Sequence, residues 1–158
     1  MGMDQLSAHL DRGWDLMQKG DLKGARAAAR RALEADRDSP DAYNLLGFVN
    51  AQEGDAEEAL KHFRHAFGLD ESFIEPMLNA AELLIFPLKE WDEAAALCDE
   101  VLEFAEAKEE IADALLLKFD ALLAAGRTEQ ARKALDMLPE GPFETPGYAF
   151  HIGRANFD

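Results

Sequence analysis

A single cysteine, Cys98, stands among the 158 residues, so no intramolecular disulfide can staple the chain and no cysteine pair offers zinc-ligand spacing. Its expected place is that of a small apolar filler on a buried helix face. No apolar run approaches the roughly 20 residues that a membrane-spanning helix needs, and the longest, Leu83 to Leu88, contains Pro87. The N-terminal stretch carries Asp4, His9, Asp11, Arg12 and Asp15 where a secretory signal has its apolar core, which makes a cytoplasmic location the expectation. Basic residues are scarce: 16 Lys and Arg face 32 Asp and Glu, and the net charge of −16 repels phosphate backbones and anionic lipid. Neither nucleic acid nor membrane is an expected partner. The charge either serves solubility or selects a basic partner.

Signatures of chemistry are missing too. The chain has no Gly-x-Gly-x-x-Gly, no Gly-Lys-Ser/Thr loop and no His-Glu-x-x-His. His62 and His65 lie three apart on one helix face, but no further ligand is spaced to complete a metal site with them. They are expected on a solvated outer face, and His9 and His151 stand alone. The acidic pairs Glu57-Glu58, Asp92-Glu93 and Glu109-Glu110 sit at expected helix starts, where the positive end of the dipole favours them without catalysis. The expectation is a protein that is not an enzyme, with no cofactor, no metal and no catalytic residue.

Self-similarity is what the chain has in abundance. Gly13 and Gly47, Gly20 and Gly54, Ala25 and Ala59, and Ala32 and Ala66 are each 34 apart. The next intervals, Ala59 to Ala94 and Ala94 to Ala131, are 35 and 37, so later copies carry short loop insertions. The clearest copy runs from Pro40 to Asp70. There Tyr43, Leu46 and Phe63 are large, Gly47, Ala59 and Ala66 are small where two antiparallel helices approach closely, and Gly54-Asp55 mark the turn. Ser39-Pro40 reads as a helix start, and Asp55 with Glu58 as a capping box.

This pattern of large, small and turn residues resembles the tetratricopeptide repeat family. The resemblance implies an all-α fold, a right-handed superhelical solenoid of antiparallel helix pairs. Helices are expected at about 4–19 with 21–35, 40–53 with 56–69, 73–86 with 91–106, and 110–125 with 128–138, and a ninth from about 146. They organise one repeat domain over 1–158: repeat 1 at about 4–36, repeat 2 at 39–70, repeat 3 at 73–107 with an irregular loop at Pro87, and repeat 4 at 110–138. The first helix of an incomplete repeat 5 follows over 145–158. Copy three departs most, with Ala81 for glycine and Phe86-Pro87-Leu88-Lys89 for the tight turn. Copy four has Phe119 in the small slot.

In this family the first helix of each pair lines a concave face. Carried over slot by slot, the resemblance implies a partner-binding groove of Leu10, Asp11 and Trp14 in copy one, Asn44 and Phe48 in copy two, Leu78, Asn79 and Glu82 in copy three, and Leu116, Leu117 and Asp120 in copy four. Chaperone-binding members clamp an acidic tail with Lys, Asn and Arg at such slots. Here the charged slots are Asp11, Glu82 and Asp120, so the expected partner is a protein or peptide with apolar anchors and basic residues. A competing occupant of the same floor is the chain's own segment Phe143 to Phe157. Weak self-association through the C-terminal helix is a further expectation, because Tyr148, Phe150, Ile152 and Phe157 leave little polar surface there.

The leading function is thus a protein-interaction scaffold. The alternative is the regulatory or substrate-recruiting repeat region of a larger bacterial enzyme. Arg12-Gly13-Trp14, His62-Phe63-Arg64, Glu75-Pro76-Met77 and Leu97-Cys98-Asp99-Glu100 look similar to bacterial chains whose repeats precede a zinc metallopeptidase domain, and none of that family's metal ligands lies within these residues.

Overall fold

The computed structural model describes residues 2–141. Among them are eight helices and no strand: α1 Gly2–Gln18, α2 Leu22–Ala35, α3 Pro40–Gln52, α4 Ala56–Leu69, α5 Ile74–Ile85, α6 Trp91–Phe104, α7 Lys108–Ala124 and α8 Thr128–Asp136. Each expected helix through residue 138 is present, with ends displaced by at most two residues. The ninth helix and the incomplete fifth repeat lie outside the described residues. The chain divides into two compact units, Met1–Pro76 and Met77–Asp158.

Local chemistry accounts for where these helices begin and end. The Ser39 hydroxyl accepts from the Ala42 N–H at 3.2 Å and Pro40 opens α3, while Asp21 and Asp55 accept from the Gly24 and Glu58 N–H groups at 2.9 and 3.1 Å. The expected capping box at Asp55 is formed in one direction. Its second half would use the Asp55 N–H, and that group already donates to the Asn50 carbonyl at 2.9 Å. This bond, with Gly54 N–H to Ala51 O at 3.0 Å, closes the end of α3 around Gly54 at φ 83°, a left-handed conformation that costs glycine little. Copy three reaches the same end without glycine. Lys89 takes φ 58°, and the Leu88 and Glu90 N–H groups donate to the Leu83 and Leu84 carbonyls at 3.1 and 2.7 Å. Caps weaken along the chain as well, for Glu90, Ala107 and Arg127 start α6, α7 and α8 without a side-chain cap bond.

In the first unit α1 packs on α2, α2 on α3, and α3 on α4. Ala25, Ala28, Ala29 and Ala32 form a buried stripe on α2, small enough for its neighbours to come close. The core of Ala25, Ala29, Leu45, Leu46 and Val49 is covered by Leu10, Trp14, Leu16, Met17 and Tyr43, among others. Gly47 lies where α3 packs on α4, and the group nearest to it is a ring. A Cβ there would stand 2.4 Å from Phe63 Cε1, so the missing side chain makes room for a buried ring. In the second unit α6 packs on α7 and α7 on α8. Leu83, Leu84, Leu97, Val101, Leu115 and Leu117 are buried there, each contributing roughly 1.5–3 kcal/mol. Cys98 is buried among them, and desolvation pushes its thiol up to about 12.

Candidate partner-binding faces

In the first unit, α1 and α3 carry the expected groove residues. Asp11 is exposed, Leu10 and Trp14 are half-buried against the core, and Asn44 and Phe48 are buried. Trp14 and Phe48 meet edge to face with ring centroids 5.1 Å apart, and Phe48 meets Phe63 in the same manner at 5.6 Å. Phe48 therefore belongs to an aromatic chain that runs from the inner helices into the α3–α4 contact. The space left by Gly47 lets Phe63 reach it, which the slot pattern does not reveal.

In the second unit, Leu78, Asn79 and Glu82 on α5 and Leu117 on α7 are buried, while Leu116 and Asp120 are half-buried. The face thus offers less open apolar floor than the slots imply. It is richer in buried polar groups. Asn79 is 0% exposed, and neither its Nδ2 nor its Oδ1 has a hydrogen-bond partner among the described residues. Asp113 Oδ1 on α7 and Asn44 Oδ1 on α3 are in the same state.

Two carboxyls on these helices are perturbed. Burial raises the Glu75 carboxyl above its ordinary range, and a hydrogen bond from Asn44 opposes that rise. Asp113, 7% exposed, is pushed up to about 6 by burial and by the negative charges of Glu109 and Glu110. Glu75 and Asp113 hold the same slot in successive copies, and so do Asn44 and Leu78. Leu78 has no amide to offer where Asn44 has one. The signal for both acids was in the sequence as an acidic residue at the same repeat slot of the first helix.

The histidine pair is not wholly solvated. His65 is exposed and stacked on Tyr43 at 3.9 Å, but His62 is half-buried with Nδ1 2.8 Å from Asn50 Oδ1, and burial lowers its pKa. Among the described residues no three His, Cys, Asp or Glu side chains are grouped to hold a metal ion, and no helix is long and apolar enough to cross a membrane.

The paired helices, the repeated turns and the small-residue contacts now stand beside a direct match, for the family model described as tetratricopeptide repeat covers residues 10–70. Over those residues the chain belongs to the tetratricopeptide repeat family. The likeness in fold extends further. A Pseudomonas aeruginosa PilF structure superposes with a TM-score of 0.76 over 85% of this chain and 60% of that one, at 22% identity. A crystal structure of MamA gives 0.72 over 83% of this chain and 74% of that one, at 19% identity. At such identities the likeness is one of fold. In sequence, 83 residues are 34% identical to the probable biofilm formation methyltransferase WspC of Pseudomonas putida, covering 52% of this chain. The chain spans about a fifth of that relative's length, 19%. Tetratricopeptide repeats are protein-interaction scaffolds, generally without catalysis of their own.

Proposed function

We propose that the protein holds an extended or helical segment of a partner protein against the first helices of its tetratricopeptide pairs, without catalysing a reaction on it. The observation that supports this reading is the accessibility, on the first helices α1 and α7, of Asp11 beside half-buried Leu10 and Trp14, and of half-buried Asp120 and Leu116. Carboxylates beside apolar side chains that are still partly open to solvent suit a partner with apolar anchors next to basic groups. In the first unit the contact centres on Asp11, Leu10 and Trp14, with Asn44 and Phe48 behind them. In the second it centres on Leu116 and Asp120, with Leu78, Asn79, Glu82 and Leu117 behind. The acidic side chains Asp11, Glu82 and Asp120 favour a partner with Lys or Arg beside its apolar anchors.

A pull-down from the source cell tests this, comparing wild type with Asp11→Lys and Asp120→Lys after each variant's helicity has been checked. Equal recovery of the same partners by all three proteins refutes the inner-face assignment.

A second reading has one observation in its favour. The sequence relative is named as a methyltransferase of which this chain matches a fifth, so the repeats serve as the regulatory or recruiting region of a bacterial enzyme. The zinc metallopeptidase version of this idea rests on sequence wording alone. Reading the gene beyond the codon for Asp158 distinguishes the versions, and a stop codon there, without a separately encoded enzyme that co-purifies, removes both.

A further inference from the structure

Beyond the inner helices, the second unit has a cleft of about 480 Å³ between α6 and α8, floored by Lys118 and Leu122 of α7. Those two residues lie on a different face of α7 from Leu117 and Asp120, and the cleft is separate from the site proposed above. Asp92, Ala95, Ala96 and Asp99 recur along one face of α6, and Gln130, Lys133 and Ala134 along one face of α8, with Met137 just past its end. The volume falls within the range of sites that hold a ligand, about 300–1,000 Å³.

The charge of the cleft runs against that of the chain. Acidic residues outnumber basic ones 32 to 16 overall, whereas Lys118, Arg127 and Lys133 outnumber Asp92 and Asp99 here. The cations are also the more enclosed members of their pairs. Lys118 is 23% exposed against 56% for Asp99, at 2.6 Å, and Arg127 is 49% exposed against 71% for Asp92, at 3.0 Å. Exposed carboxylates of this kind hold their partners weakly, typically by about 0–1 kcal/mol, and swing aside at little cost. Lys133 forms no ion pair among the described residues.

We propose that this cleft binds an extended acidic segment of a partner protein, with two carboxylates about 10–13 Å apart on one face and an apolar side chain between them. The separation follows from α6, where Asp92 and Asp99 are seven residues apart, or about 10 Å at 1.5 Å per residue, and mark the two cationic ends. In an extended chain side chains alternate between faces, so two carboxylates that face the cleft together at this scale are four residues apart, about 13 Å at 3.3 Å each, with the apolar side chain two residues from either. The apolar side chain lies over Ala95, Ala96 and Leu122 beside Met137, which is 62% exposed. Gln130 in the same wall offers both a donor and an acceptor to the segment's backbone, which favours a peptide over a free acid.

The test is fluorescence anisotropy of the full chain with a labelled hexapeptide in which two glutamates four residues apart flank a central leucine. Binding is expected to weaken about tenfold or more in Lys133→Glu and in Ala96→Trp, which fills the cleft from an exposed position, and to be unchanged in Asp11→Lys. Replacing the peptide's glutamates by lysines is expected to abolish it. The proposal is overturned if the peptide fails to bind at millimolar concentration. It is equally overturned if it binds but neither cleft variant weakens it, or if Asp11→Lys alone does. Both cleft variants alter exposed side chains, and unchanged helicity confirms that any loss reports on the cleft.

Discussion

Replacing Gly47 by alanine adds one methyl group, and the structure specifies what that group meets. Its Cβ would lie 2.4, 2.5 and 2.9 Å from Cε1, Cδ1 and Cζ of Phe63, whereas ordinary contact begins near 3.4 Å. The ring must retreat by about 1 Å, and it is fully buried with Phe48 edge-on at 5.6 Å behind it. Overpacking of this kind costs about 1–3 kcal/mol. Against it stands the gain in helix propensity, about 0.8–1.0 kcal/mol for glycine to alanine within a helix such as α3. The net expectation is a loss of about 1 kcal/mol. Gly68 on α4 supplies the control, since a Cβ there meets nothing within 4 Å and only the propensity gain, up to about 1 kcal/mol, remains. Urea unfolding followed by circular dichroism at 222 nm should therefore place Gly47→Ala below and Gly68→Ala above wild type. Thermal midpoints should move in the same directions, by about 2–4 °C per kcal/mol for a chain of this size. Repeat arrays open locally, so amide exchange in α3 and α4 should report the same loss. A Gly47→Ala variant stabilised as much as Gly68→Ala would refute the Phe63 contact.

Other outcomes follow from the titrating groups and the buried thiol. The folded chain holds the Asp113 proton up to about pH 6 while an unfolded aspartate releases it near 3.8, so this group's contribution to stability falls as pH rises through that interval. Asp113→Asn should raise stability at pH 7 and flatten the profile between about pH 4 and 6; identical pH slopes for the two proteins would sink the idea. His62 has the opposite sense, because burial lowers its pKa below 6.5: the stability it lends is complete above that pH and is lost as pH falls through the lowered value. Its imidazole shifts in a magnetic resonance titration should report a midpoint below 6.5, and a midpoint above it would contradict the burial. Cys98 should resist an aromatic disulfide reagent at pH 8 until denaturant is added, and prompt labelling of the folded chain would be inconsistent with its position.

The sequence by itself determined the helix pairs, because their limits are written in local chemistry. Ser39-Pro40, the caps at Asp21 and Asp55, the left-handed glycines 20, 54 and 126, and Pro87 each act on backbone a few residues away, so no distant contact is needed to read them. The choice of first helices as the candidate binding face was also legible, through the period and the family it resembles. How open that face is was decided by tertiary structure. Phe48 is drawn into an aromatic chain because Gly47 leaves space for Phe63 from another helix, and Asn79 is enclosed by packing that no slot rule contains. The same holds for the pairing of Asn44 with Glu75, the raised Asp113 carboxyl, and the cationic cleft whose residues come from α6, α7 and α8. Burial and charge at these points are sums over neighbours distant in sequence, and only folding brings those neighbours together.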